Sequence, residues 1–95
     1  MNNQKELPKY QSHKQVRALK IKHIVFDSEL AESSNRETDG SAIISPEEED
    51  YPAFRVDRKY VQKHKPQVGG YYVLYKDGYE SFSPAKAFEE GYTKI

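Results

Sequence analysis

The chain contains no cysteine and no tryptophan, and a single methionine. Without thiols it builds neither a disulfide framework nor a thiolate metal site, which fits a reducing compartment. No apolar run approaches the roughly 18–20 residues that cross a bilayer as a helix, and the polar N-terminus has no signal-peptide core. The expectation is a soluble intracellular protein. Hydrophobic residues are also scarce, at 36% against 32% charged. Ninety-five residues with so little apolar material make one small domain that buries only about 60–65% of its unfolded surface. Dimerisation is one remedy for such a thin core.

What the chain has instead is tyrosine. Eight Tyr and four Phe replace the missing aliphatic bulk, since each ring can bury a large area. The net charge is zero, but the charges are segregated. Residues 1–26 carry Lys5, Lys9, Lys14, Arg17, Lys20 and Lys22 against Glu6 alone. Residues 27–50 carry Asp27, Glu29, Glu32, Glu37, Asp39, Glu47, Glu48, Glu49 and Asp50 against Arg36 alone. Such a division gives solubility and mutual attraction of the segments, or a surface that docks a charged partner or imitates phosphates.

The strongest local signal runs from Gly69 to Pro84. Two runs rich in aromatic and β-branched residues flank Asp77-Gly78, the dipeptide of a two-residue type I′ hairpin. That turn pairs Lys76 with Tyr79, Tyr75 with Glu80, Leu74 with Ser81 and Val73 with Phe82. It places Tyr71, Val73, Tyr75, Glu80 and Phe82 on one face, and Tyr72, Leu74, Lys76, Tyr79 and Ser81 on the other. Ser83 as cap and Pro84 at the first helical position then start a helix through Ala87 and Phe88, with Gly91 as its stop.

Upstream, residues 1–12 are polar and aperiodic and are expected to be a disordered tail. Val16 to Phe26 reads as a strand, with Leu19, Ile21, His23 and Val25 on one face and Lys20, Lys22, Ile24 and Phe26 on the other; a helix is the alternative. Residues 27–38, acidic and rich in serine, read as a mobile loop. Ser41 to Ser45 is a short second strand, and Ser45-Pro46-Glu47-Glu48 has the spacing of a capping box. Tyr51 to Val56 is extended, and Pro52 assigns it to a sheet edge. Asp57 caps a short helix over Arg58 to His64, its Tyr60 and Val61 pointing inward, and Pro66 bars its extension. The order predicts a single α+β domain over residues 13–95, an antiparallel sheet of four to five strands backed by the C-terminal helix, with a half-open small β-barrel as the alternative.

The pattern Gly-Tyr-x-Val-x-Tyr-x-Asp-Gly-Tyr-x-Ser-x-Ser-Pro-x-x-x-Phe-x-x-x-Tyr, carried by Gly70, Tyr71, Val73, Tyr75, Asp77, Gly78, Tyr79, Ser81, Ser83, Pro84, Phe88 and Tyr92, resembles the C-terminal half of small proteins encoded by tailed bacteriophages and prophages. Val16 to Ile21 is similar to their opening strand. Those relatives often carry Trp where this chain has Phe82. The resemblance implies a phage accessory protein acting in the cytoplasm of a bacterial host.

The residues themselves offer little chemistry. His13, His23 and His64 have no ligand spacing. Gly69-Gly70 precedes a strand, whereas phosphate loops precede a helix. Glu47-Glu48-Glu49-Asp50 lacks the alternating spacing of a calcium loop, and no Ser/His/Asp set is recognisable. The expectation is therefore a non-enzymatic protein without metal or cofactor. Its leading role is binding a host or phage protein, including as an inhibitor. A nucleic-acid-binding module, using Lys14, Arg17, Lys20 and Lys22 with exposed Tyr, is the alternative, and a binder that sequesters a nucleotide signal is a further one. The expected binding face is Tyr72, Leu74, Lys76 and Tyr79 with Arg55 alongside, because Tyr and Arg are enriched at interface hot spots.

Overall fold

The computed structural model describes residues 16–93, so the expected tail at residues 1–12 lies outside them. The elements are β1 (Arg17–Phe26), α1 (Asp27–Ser33), β2 (Ala42–Pro46), β3 (Phe54–Val56), α2 (Arg58–His64), β4 (Tyr71–Leu74), β5 (Glu80–Ser83) and α3 (Ala85–Gly91). The strands form one antiparallel sheet in the order β3-β2-β1-β4-β5, curled into a half-barrel. The fold is α+β, as expected, and the curl realises the half-open barrel given as its alternative. β3 lies at an edge, the position Pro52 assigned to it.

β1 is the strand around which the sheet bends. Its first half, Arg17 to Lys20, pairs with β4, and its second half, Ile21 to Phe26, pairs with β2. At the handover the Ile21 amide donates to the Gly70 carbonyl, and the Ile21 carbonyl accepts from the Gly69 amide, both at 2.8 Å. The register breaks between Ile21 and His23, a bulge that inserts one residue and switches the side-chain parity. The simple alternation expected for β1 is therefore corrected. Ile24 and Phe26 join Ile21 in packing on the core, while His23 and Val25 are exposed.

The hairpin is also corrected, by one residue. Tyr71 pairs with Ser83, Tyr72 with Phe82, Val73 with Ser81 and Leu74 with Glu80. The loop is Lys76-Asp77-Gly78: the Gly78 amide donates to the Tyr75 carbonyl and the Tyr75 amide to the Tyr79 carbonyl, each at 2.9 Å. Only Gly78 (φ 92°) has positive φ here, whereas a type I′ turn needs it at Asp77 as well. This is a type I turn closed by a left-handed glycine, a three-residue loop. Because the side-chain period is two, the slip carries β5 to the other face relative to β4. Tyr72, Leu74 and Phe82 thus share one face, and Tyr71 and Val73 the other.

The core collects Ile21, Ala42, Ile44, Val56, Tyr60 and Tyr72, with Phe54, Leu74 and Phe82 packed against them. Burying each larger side chain contributes roughly 1.5–3 kcal/mol. The helix that covers this face is α2 rather than α3. Asp57 caps it as expected, its Oδ1 accepting from the Tyr60 amide at 2.9 Å, and Lys65 ends it in the left-handed conformation (φ 46°) just before Pro66. Tyr60 points inward and its hydroxyl donates to the Ser81 carbonyl at 2.7 Å. α3 instead rests on the Tyr71 face, where Phe88 stacks on Tyr71 at 4.2 Å and on Tyr92 at 4.5 Å. Its start and stop also differ from expectation: Pro84 is the N-cap, Ser83 remains in β5, Gly91 is the last helical residue and Tyr92 is the C-cap. Ser45 and Pro46 likewise stay in β2 instead of opening a helical turn.

The segment expected as a loop at residues 27–38 begins as α1. Its order comes from Asp27, whose carboxylate accepts from Arg36 Nη2 at 2.8 Å, Arg36 Nη1 at 3.1 Å, Thr38 Oγ1 at 2.9 Å and the Asp39 amide at 3.0 Å. The Arg36 guanidinium, and after it the Asp39 amide, hold the Asp27 carboxyl far below the usual carboxylate range. A folded-state value below the unfolded one stabilises the native state above about pH 4 and loses that stabilisation as pH falls. Asp27→Asn should therefore lower the melting temperature at neutral pH, with the gap to the parent protein closing below about pH 3 in a pH series of thermal melts.

Candidate partner-docking surface

The five residues expected to form one binding face are divided by the hairpin slip. Tyr72 is in the core, with 9% of its surface exposed, and its hydroxyl donates to Glu80 Oε2. Its ring meets Phe54 at 4.6 Å and Tyr60 at 5.8 Å. Leu74 packs against the same cluster. Neither presents a face to a partner, because Tyr72 and Leu74 share the side of the sheet that α2 closes. Arg55 is exposed on the opposite side of edge strand β3, beside Ile43, where it meets Asp39 at 3.5 Å. Lys76 and Tyr79 remain on the surface together, in and beside the hairpin loop.

Tyr79 is the large aromatic of that tip, 45% exposed. Its amide donates to Asp77 Oδ1 at 3.0 Å, an Asx-type contact that fixes the loop which projects it. Its ring leans on His64 at 5.9 Å and on Tyr75 at 5.9 Å, and Lys63 Nζ lies 5.2 Å from its centre. His64 in turn packs on Tyr60 at 4.9 Å. Burial first, and then the neighbouring Lys63, push the His64 imidazole below its ordinary value, while Glu80 pulls it up. His64 is thus largely neutral at pH 7 and holds a 3.4 Å contact to the Tyr79 hydroxyl.

Sequence reasoning missed His64 and Lys63 as members of this surface. The available signal was the four-residue step from the inward Tyr60 to His64, which stacks both on one side of α2. The aromatic surface continues round the hairpin: burial and then contact with Tyr92 raise the Tyr75 phenol, and Tyr92 stacks on Phe88. This arrangement can grip a partner through rings and cations. Among the described residues no three His, Asp or Glu side chains are grouped to hold a metal ion, and no helix is long and apolar enough to cross a membrane.

The fold and this surface define a small half-barrel with an exposed aromatic tip. No protein-family model matches the chain, and no curated protein matches it. Among solved structures, it is similar to the phage L decoration protein in its monomeric form, with a TM-score of 0.57 and 28% sequence identity. That likeness covers 99% of this chain and 66% of the decoration protein, so the chain spans slightly less than two thirds of its length. The similarity agrees with the phage kinship read from the C-terminal pattern.

Proposed function

We propose that this chain is a non-enzymatic phage accessory protein that attaches to the protein shell of the phage particle. The observation that carries the reading is its likeness to a phage decoration protein along 99% of its length. A second feature supports it. Several of its polar side chains serve its own fold, Asp27 with Arg36 and Tyr72 with Glu80, while the tip around Tyr79 stays open. Attachment takes place where particles assemble, in the cytoplasm of the bacterial host, and the partner is a shell subunit rather than a host protein to be inhibited. Oligonucleotide binding fits less well. Partly open five-stranded barrels that bind oligonucleotides use the face of strands 2 and 3 and the adjoining loops. Here the segment between β1 and β2 carries Asp27, Glu29, Glu32, Glu37 and Asp39, which repel a phosphate backbone.

The test is co-sedimentation of the purified chain with phage heads that lack it. Tyr79→Ala should weaken attachment by about 1–3 kcal/mol while changing the stability by less than about 1 kcal/mol, as for a hot-spot aromatic outside the core. Equal attachment of Tyr79→Ala and the parent protein would move the contact away from the tip.

A further inference from the structure

The outward side of α2 is basic without internal compensation. Arg58, Lys59, Lys63 and Lys65 are exposed, and Lys76 is exposed in the loop beside Tyr79. The ion pairs among the described residues are Lys20–Glu89, Arg36–Asp27 and Arg55–Asp39, so none of these five cations is ion-paired with a described carboxylate. Acids do lie nearby: Glu80 is half-buried, and the exposed Asp57 and Asp77 each turn a carboxylate oxygen to a backbone amide rather than to these cations. Asp57 accepts from the Tyr60 amide, Asp77 from the Tyr79 amide and Glu80 from the Tyr72 hydroxyl. Tyr79 stands among the cations, with Lys63 over its ring.

We infer that α2 and the hairpin tip form the contact surface, and that its partner is an acidic patch of a folded protein, met by Lys59, Lys63 and Lys76 around the Tyr79 ring. The inference rests on the attachment reading for where the partner is found, and adds the chemistry of that partner. Charge complementarity is the argument: unpaired cations steer an acidic surface into register, and a central aromatic supplies contact area. A folded acidic patch fits better than a nucleic acid, because Arg58 at the start of α2 lies against Gly40, within the acid-rich residues 27–50 that repel an extended polyanion.

Two measurements test this together. In the first, the parent protein, Lys59→Glu/Lys63→Glu and the control Lys22→Glu are co-sedimented with phage heads at rising salt. Reversal on α2 should weaken binding at least about tenfold, Lys22→Glu should leave it within about twofold, and binding should fall with salt. In the second, isotopically labelled chain is titrated with poly-L-glutamate and, separately, with oligo-dT of equal charge. Poly-L-glutamate should shift the amides of α2 and residues 76–79 first, and should bind at least as tightly as oligo-dT. Heads that bind the parent and Lys59→Glu/Lys63→Glu equally would overturn the inference while leaving attachment standing. Heads that bind nothing, with poly-L-glutamate still mapping to α2, would overturn attachment and keep the acidic-partner assignment. Tighter binding of oligo-dT, or poly-L-glutamate shifts centred on Arg17 and Lys22, would overturn the assignment itself.

Discussion

Gly70→Ala should lower the stability by about 2–4 kcal/mol, a large part of what a domain of this size possesses. Gly70 is buried immediately before β4, directly beside the point where β1 changes partners. A methyl group there would stand 2.4 Å from the Phe82 ring and 2.9 Å from the Ser83 carbonyl oxygen. The ring could shift only by vacating the core, and the carbonyl belongs to the backbone of β5. The neighbouring Gly69 provides the control. It has φ 92° and nothing within 4 Å of the added methyl, so Gly69→Ala costs only the backbone strain, about 1–2 kcal/mol. Denaturant unfolding of both variants checks the order, and Gly70→Ala/Phe82→Leu should recover part of the loss. A Gly70→Ala protein no weaker than Gly69→Ala would mean that β4 and β5 are not this close.

Tyr72→Ala should cost about 3–5 kcal/mol, as large-to-small changes of buried aromatics do. The ring is wedged between Phe54 and Tyr60, and it joins edge strand β3 to α2 across the half-barrel. Removing it opens a cavity between Phe54 of β3 and Tyr60 of α2. Tyr72→Phe separates packing from hydrogen bonding. It keeps the ring and leaves the half-buried Glu80 carboxylate without its phenol donor, a loss of about 1–3 kcal/mol. Thermal melts of the two variants should therefore rank Ala well below Phe, with Phe below the parent protein. Tyr79→Ala, one strand turn away but outside the core, should melt close to the parent.

These two sites mark the limit of what could be read from the chain. Elements governed by near neighbours were legible. Asp57 three residues before Tyr60, and Pro66 after Lys65, define both ends of α2 without help from the rest of the molecule. The β-branched run in β1 and the proline before β3 were equally direct. The places that failed are those where a distant contact decides. Asp-Gly suits a two-residue loop and a three-residue loop alike, and pairing along β4 and β5 selects the second. That single slip moved Tyr72 from the expected binding face into the core and set the half-buried Leu74 against it. The bulge after Ile21 exists because β1 passes from β4 to β2, an event that no alternation within β1 announces. α1 depends on Arg36 folding back nine residues to Asp27. Arg36 was visible as the lone cation among nine acids, but its role became apparent only with the fold. The proposed docking surface was half legible: Tyr79 and Lys76 were identified, whereas Lys63 and His64 reach it from α2 through the tertiary fold.

The central claim, attachment to the phage particle, is most directly tested by mass spectrometry of density-banded particles from a bacterial strain producing both the phage and this chain. The account predicts that the chain bands with the particles in stoichiometric proportion to the shell subunit and is reduced on particles made with Tyr79→Ala. Particles free of the chain, with all of it left in the soluble lysate, would contradict the account.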